Sequence, residues 1–264
     1  MRLVVCIKQV PVPGDVWVDE TGELQQLTGA AMINLFDSHA LEAALRIKDT
    51  LGATVVALGL GGEKVRDVLR QALAMGADQA VHVTDGCGGT SGSQWAARVL
   101  AAAIRHTGGA DMVLTGREST VAGSGGVGPM LAGFLDIPYV VGVRKIRVDR
   151  ERVWVERTRE DTVETLLAPL PVLLTVSRET GEPRSPSIKG VIRARKTPIP
   201  VLKPEETGLD PQALSAIVKN TLVGLVPAPA RRRGMILQGN PEEQVDRLVD
   251  NLLGSIPAGR RAML

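Results

Sequence analysis

The residues best suited to chemistry lie between Asp111 and Leu135. Met112-Val113-Leu114-Thr115 is an apolar run of strand type. Gly116 to Gly128 is short and rich in Gly, Ser and Thr, and Val127 to Leu135 is apolar again at helical spacing. A strand, a small-residue loop and a helix start together surround an anion with backbone N–H groups. Glycines at 116, 123, 125, 126 and 128 let the main chain approach a ligand, since no Cβ intervenes. Ser119, Thr120 and Ser124 add hydroxyl donors. The chemistry expected is the holding of a nucleotide phosphate. The plain alternative is a loop that only turns the chain.

Other chemistries fit less well. Gly59-Leu60-Gly61-Gly62 follows a strand, and Asp85 follows the next one, but Lys64 stands where a dinucleotide fingerprint needs its third glycine. Ser124-Gly125-Gly126 matches part of an ATP-pyrophosphatase loop, yet Val127-Gly128-Pro129 follows instead of Asp-Ser. No Ser-His-Asp, HExxH or Cys-His arrangement occurs at usable spacing. His39 and His106 fall on predicted helices and His82 in a predicted strand, as surface or core residues. Cys6 reads as a small core residue and Cys87 as a loop thiol, and no CxxC pair suggests zinc or a disulfide framework. A binding or carrier role is favoured over a hydrolase. The basic residues Arg184, Lys189, Arg193, Arg195 and Lys196 suit phosphates, an acidic protein or a solvated face. Aromatic content of 2% and a net charge of +2 argue against nucleic acid.

These residues need a frame. Leu3 to Val10, Thr54 to Leu60, Ala80 to Thr84 and Asp111 to Thr115 read as buried strands. Helices are expected over Ser38 to Leu51, with Asp37 or Ser38 as N-cap, over Glu63 to Met75, up to Arg105-His106, and from Val127. Trp17 to Leu27 suits a small hairpin. The alternation implies an α/β, doubly wound, mostly parallel sheet, with ligands beyond the carboxyl ends of its strands. That gathers Val10-Pro11, Asn34 to Asp37, Gly59 to Gly61 and Gly116 to Val127 at one rim. Tyr139 to Val148, Arg152 to Glu156 and Val163 to Leu167 form an added antiparallel meander, and Pro171 to Val176 a further strand. Arg178 to Lys203, with prolines at 183, 186, 198 and 200, reads as irregular. The organisation expected is a nucleotide-binding domain over 1–203 and a C-terminal arm over 204–264. The arm carries short helices at Pro211 to Leu222 and Pro241 to Leu253, separated by Pro227 to Arg233. The N-terminal apolar run is too short for a signal peptide and no uncharged run approaches a membrane span, so a cytoplasmic location is expected.

With these pieces assembled, the chain resembles the beta subunit of an electron transfer flavoprotein over roughly residues 1–202. The resemblance rests on several short runs in register. They are Val5-Cys6-Ile7-Lys8-Gln9-Val10-Pro11; Ile33-Asn34-Leu35-Phe36-Asp37; Ala72-Leu73-Ala74-Met75-Gly76-Ala77-Asp78; Leu114-Thr115-Gly116-Arg117-Glu118; Gly128-Pro129-Met130; Gly133-Phe134-Leu135; Val155-Glu156-Arg157; and Glu182-Pro183-Arg184. It implies a Rossmann-like fold of the adenine-nucleotide alpha-hydrolase type. It also implies an electron carrier rather than an enzyme, paired with an alpha subunit that holds FAD. The beta subunit then holds AMP, or a second FAD in electron-bifurcating members, and Val127-Gly128-Pro129 resembles the latter. Carried over by position, the nucleotide contacts are Cys6, Asn34, Leu35, Phe36, Asp37, Leu60, Gly116, Arg117, Glu118, Ser119, Thr120, Val121, Ala122, Gly123, Ser124, Gly125, Gly126 and Val127. Residues 178–195 match a recognition loop for acyl-CoA-type dehydrogenases, with Glu182, Pro183, Arg184 and Arg193 around an apolar anchor at Ile188. Electrons then pass to a quinone oxidoreductase or another acceptor, and the arm clasps the alpha subunit. The family's paired acids are absent from Glu118-Ser119-Thr120-Val121-Ala122-Gly123, and Leu35 replaces a usual proline. The competing reading is a stand-alone adenine-nucleotide module of the universal-stress type.

Overall fold

The computed structural model describes residues 1–19, 21, 23–85, 92–149, 151–210, 212, 214, 217 and 234–255. Cys87, most of the expected helix Pro211 to Leu222 and the run Pro227 to Arg233 lie outside the described residues. The chain divides into two compact units, Met1–Leu225 and Val226–Leu264.

The first unit begins with β1 (Arg2–Ile7) and the short β2 (Gln9–Pro11). A hairpin of β3 (Val16–Val18) and β4 (Leu24–Gln26) follows, and β5 (Ala31–Ile33) returns antiparallel to β2. Next come α1 (Leu35–Leu51), β6 (Thr54–Gly61), α2 (Val65–Met75), β7 (Gln79–Thr84), α3 (Ser93–His106), β8 (Met112–Gly116) and α4 (Val127–Leu135). The meander is β9 (Tyr139–Val148), β10 (Arg152–Arg159) and β11 (Thr162–Pro169), after which the chain re-enters the sheet as β12 (Val172–Val176). It closes with α5 (Ile188–Lys196) and β13 (Val201–Leu202).

Nine strands share one sheet in the order β11-β10-β9-β12-β8-β1-β6-β7-β13. All neighbours are parallel except β9/β10 and β10/β11, which are antiparallel. The expected doubly wound α/β sheet with an attached meander is present. The central strands are apolar without alternation because helices cover both faces. On one face α1, α2 and α5 bury Leu41, Leu45, Leu69, Leu73 and Ala194 against Leu3, Val5 and Leu114. On the other, α3 and α4 bury Trp95, Leu100, Ile104 and Leu131 against Val4, Val56 and Leu173.

Two local expectations are corrected. Helix α1 starts at Leu35 with Asn34 as N-cap, not at Asp37 or Ser38. Tertiary hydrogen bonds claim the Asp37 carboxylate, so it sits inside the first turn. The stretch 178–203 is not irregular throughout. Between its two pairs of prolines, Ser187 caps α5 by accepting the Gly190 N–H at 3.0 Å. The core also continues past residue 203, since Leu214 and Ile217 are buried with the α3 cluster.

The second unit contains α6 (Pro241–Ser255), whose Val245, Leu248, Val249, Leu252 and Leu253 are exposed.

Candidate functional site

Sequence order and spatial order part company at one place in the sheet. From β1 the chain builds outward through β6 and β7, then crosses back to place β8 on the other side of β1. A crevice opens beyond the carboxyl ends of strands at such a reversal, and ligands of doubly wound sheets occupy it. Here β1 ends at Ile7 and β8 at Gly116.

The first turn of α1 spans this reversal. Asp37, 6% exposed, accepts the Lys8 N–H on Oδ2 at 2.8 Å and the Gly116 N–H on Oδ1 at 3.0 Å. Asn34, 1% exposed, donates from Nδ2 to the Glu118 carbonyl at 2.8 Å and accepts the Thr120 N–H at 3.0 Å. The fit needs glycine at 116, because a Cβ there would overlap Asp37 Oδ1 and lie 2.7 Å from the Phe36 carbonyl carbon. Burial pushes the Asp37 carboxyl up to about 6, against the hydrogen bonds that favour its ionised form. Burial likewise pushes the Cys6 thiol up, and the nearby Asp37 charge adds to that.

From Arg117 the loop runs outward, its N–H donating to the Val176 carbonyl at 2.9 Å. Gly123 and Gly125 adopt φ of +60° and +59°, which side chains other than glycine rarely tolerate. The loop then enters α4 beside the start of α3. Ser93 Oγ, on the first residue of α3, lies 3.2 Å from Ser124 Oγ. At Gly128 a Cβ would lie 2.6 Å from Thr175 Cγ2, so glycine lets α4 settle on β12. The N-termini of two helices thus meet at one spot, with two hydroxyls between them.

Toward the meander the loop borders a cleft of about 680 Å³, within the range of small-molecule sites. Arg117, Glu118, Ser124 and Gly125 form one wall. Val141, Gly142, Arg157, Thr158, Arg159, Thr175, Ser177 and Glu179 form the rest. Sequence reasoning had not placed these latter residues in the site, nor Ser93. The signals were available: Ser177 follows the carboxyl end of a parallel strand, and Ser93 opens a helix.

Of the residues expected at a nucleotide, Asn34, Asp37, Gly116, Glu118 and Thr120 are joined by the hydrogen bonds above. Cys6 lies buried at the end of β1, Leu60 is half-buried at the end of β6, and Val121 is 62% exposed. Leu35 and Phe36 open α1, with Arg178 over the Phe36 ring at 5.6 Å.

The 178–196 segment hangs from the same helix. Glu42, two turns into α1 and 4% exposed, accepts from Arg184 Nε at 2.8 Å, its Nη2 at 3.1 Å and its N–H at 3.1 Å. Burial pushes the Glu42 carboxyl up, and the hydrogen bonds from Arg184 and Arg46 outweigh it, leaving it below the usual range. Arg193 donates to the Leu73 and Ala77 carbonyls at the end of α2. Both arginines, expected to meet a partner, are therefore engaged within the chain. Ile188, by contrast, is 82% exposed, with Ile192 at 53% beside it.

A sequence model described as the electron transfer flavoprotein domain matches residues 24–207. The chain is 36% identical to electron transfer flavoprotein subunit beta of Thermoanaerobacterium thermosaccharolyticum, over 96% of this chain and 98% of that one. The chain belongs to the electron transfer flavoprotein beta-subunit family. Two further relatives of the beta subunit carry names of larger assemblies. One is the caffeyl-CoA reductase-Etf complex subunit CarD of Acetobacterium woodii, 34% identical over 93% of this chain and 95% of that one. The other is the acryloyl-CoA reductase electron transfer subunit gamma of Anaerotignum propionicum, 33% identical over 96% and 98%. Electron transfer is therefore the role of this beta-subunit relative. Among its described residues no helix is long and apolar enough to cross a membrane.

Proposed function

We propose that the chain is the beta half of a heterodimeric electron carrier whose alpha subunit holds FAD, and that the 116–128 loop holds the phosphate of AMP or of a second FAD. The observation that carries this is the meeting of the α3 and α4 N-termini at the sheet's reversal, with Ser93 and Ser124 in hydroxyl contact.

The residues present fit such a group. The N–H groups of Gly126, Val127 and Gly128 open α4, and Pro129, which has none, falls where a helix loses nothing by it. No side chain rises from Gly123, Gly125 or Gly126, so a phosphate meets backbone directly. The Ser93 and Ser124 hydroxyls donate at its flank, and the Arg117 guanidinium in the adjoining cleft balances negative charge. Redox chemistry is supplied by the flavin when bound. This chain orients it, shields it from water and offers partners a surface.

That surface is the 178–195 segment with Ile188 outward, toward acyl-CoA-type dehydrogenases as donors. The names of the two reductase-complex relatives support CoA-thioester redox enzymes as partners. A quinone oxidoreductase is the proposed acceptor and the cytoplasm the proposed location. Residues 1–203 carry the nucleotide site in this reading; of 204–264, Leu214 and Ile217 complete that unit's core, and the remainder is the arm that packs on the alpha subunit. The exposed apolar residues of α6 support that assignment of the arm.

Nucleotide released by denaturing the purified heterodimer, identified by mass spectrometry, tests the reading. One FAD plus one AMP, or two FAD, per heterodimer is expected. A single FAD with no second nucleotide would overturn it. Retention of AMP by this chain alone, unchanged when 204–264 is deleted, would favour the stand-alone module instead.

A further inference from the structure

We infer that Asp37 is a positioning residue: its carboxylate sets the geometry of the nucleotide-holding loop without touching the nucleotide. The inference rests on the nucleotide reading above and departs from it on one point, since family resemblance places Asp37 among the direct contacts.

Both carboxylate oxygens are already engaged inside the chain. Oδ2 accepts from Lys8, just past the end of β1, and Oδ1 accepts from Gly116, the last residue of β8. The two strands that flank the reversal are thus tied to one side chain on α1. Asn34, three residues earlier, ties the next part of the loop through Glu118 and Thr120. Neither side chain faces solvent. The exposed parts of the loop, Arg117 and Thr120 to Ser124, are what remain for a ligand.

A buried carboxylate is a costly way to hold two N–H groups, because ionising it away from water is unfavourable. Its effect is specific, however. Two backbone donors need two acceptor oxygens, and only the ionised form supplies both without a competing proton. The groups that face Asp37 are the Cys6 thiol, the Lys8 N–H and the Lys8 ammonium from the β1 side, the Gly116 N–H from β8, and the Asn34 side chain at the start of α1. Since the carboxyl titrates near 6, the sign follows. As pH falls through that value one N–H loses its acceptor, the loop slackens, and nucleotide affinity drops. Above about 7 affinity is flat.

The test is AMP and FAD affinity of the nucleotide-stripped heterodimer between pH 5 and 8, for the unaltered protein, Asp37→Asn and Asp37→Glu. Asp37→Asn turns an amide N–H₂ toward one of the two donors, so it should bind about ten- to a hundredfold more weakly at pH 8, the usual cost of losing a supporting hydrogen bond behind a ligand set. It should also lose the part of the pH dependence that the AMP phosphate does not itself contribute. Asp37→Glu should recover some affinity and the pH profile. Equal affinity and equal pH profiles for the unaltered protein and Asp37→Asn overturn the inference and leave the nucleotide reading standing. No binding of AMP or FAD by the unaltered heterodimer overturns both. If Asp37→Asn does not fold, the Lys8 and Gly116 amide resonances of the unaltered protein still decide. Their common pH midpoint should fall when AMP binds, by reciprocity of linkage, and an unmoved midpoint sinks the inference.

Discussion

The loop at 116–128 and the segment at 178–196 are both built out from α1, by different means. The loop is held by uncharged backbone donors on buried Asn34 and Asp37, and what it shows is glycine, serine and main chain. The segment is held by an ion-pair cluster. Arg184 and Arg46 converge on Glu42, Arg184 reaches Asp49 at 2.8 Å, and Arg46 donates to the Thr180 carbonyl at 3.0 Å. What it shows is Ile188 and Ile192. A surface of amides suits a small anion, and a greasy knob among charges suits a protein. One helix supplies a rigid back to both.

Three substitutions would break or sharpen this contrast. The largest effect is expected from Arg184→Ala, which leaves Glu42 buried with a single cationic partner. Removing one partner of a buried pair costs several kcal/mol, and the one-third exposure of Arg184 lowers the expectation to about 2–3 kcal/mol. Urea unfolding should report it. A loss under about 0.5 kcal/mol, the scatter of ordinary surface changes, would mean that the segment is not latched by Glu42. Gly116→Ala comes next, at about 1–3 kcal/mol for forcing a methyl into a filled space. It should release bound nucleotide while leaving the Ile188 edge intact. Retained nucleotide with unchanged unfolding would show that the approach of α1 to the loop does not matter. The smallest is Ile188→Ser, within about 0.5 kcal/mol in stability, because the side chain covers nothing. It should nonetheless slow reduction by a partner dehydrogenase. A clear drop in stability instead would show that Ile188 packs within the chain.

Much of this was legible in the chain and some was not. Apolar runs such as Leu3-Val4-Val5 and Val55-Val56-Ala57-Leu58, punctuated by Gly52, Gly76 and helical stripes, are enough to read alternating strands and helices. The small-residue loop after Thr115 was visible for the same reason: its composition is useless for a core. Spatial order across the sheet was not, since only long-range pairing brings β12 beside β8 and β13 beside β7. The start of α1 was misjudged because Asp37 and Ser38 have the chemistry of caps, and only the partners Lys8 and Gly116, far along the chain, reveal another use for the carboxylate. Prolines hid α5, although Ser187 ahead of Val191 and Ile192 was a usable start signal. The intrachain partners of Arg184 and Arg193 were not legible either. A basic residue looks outward in a sequence, while a buried Glu42 and the helix-terminal carbonyls of α2 draw these two inward.

The 178–203 stretch is fastened at several points like a span between abutments. Arg184 pins its near end on α1, Arg70 reaches from α2 to the Ala194 and Thr197 carbonyls, and the Pro200 carbonyl accepts the His82 N–H at 3.0 Å where β13 joins the sheet. The shape of this stretch is therefore set in advance of any contact. In the docking role proposed for it no slack chain would be frozen out on arrival, so brief visits would be productive and departures quick.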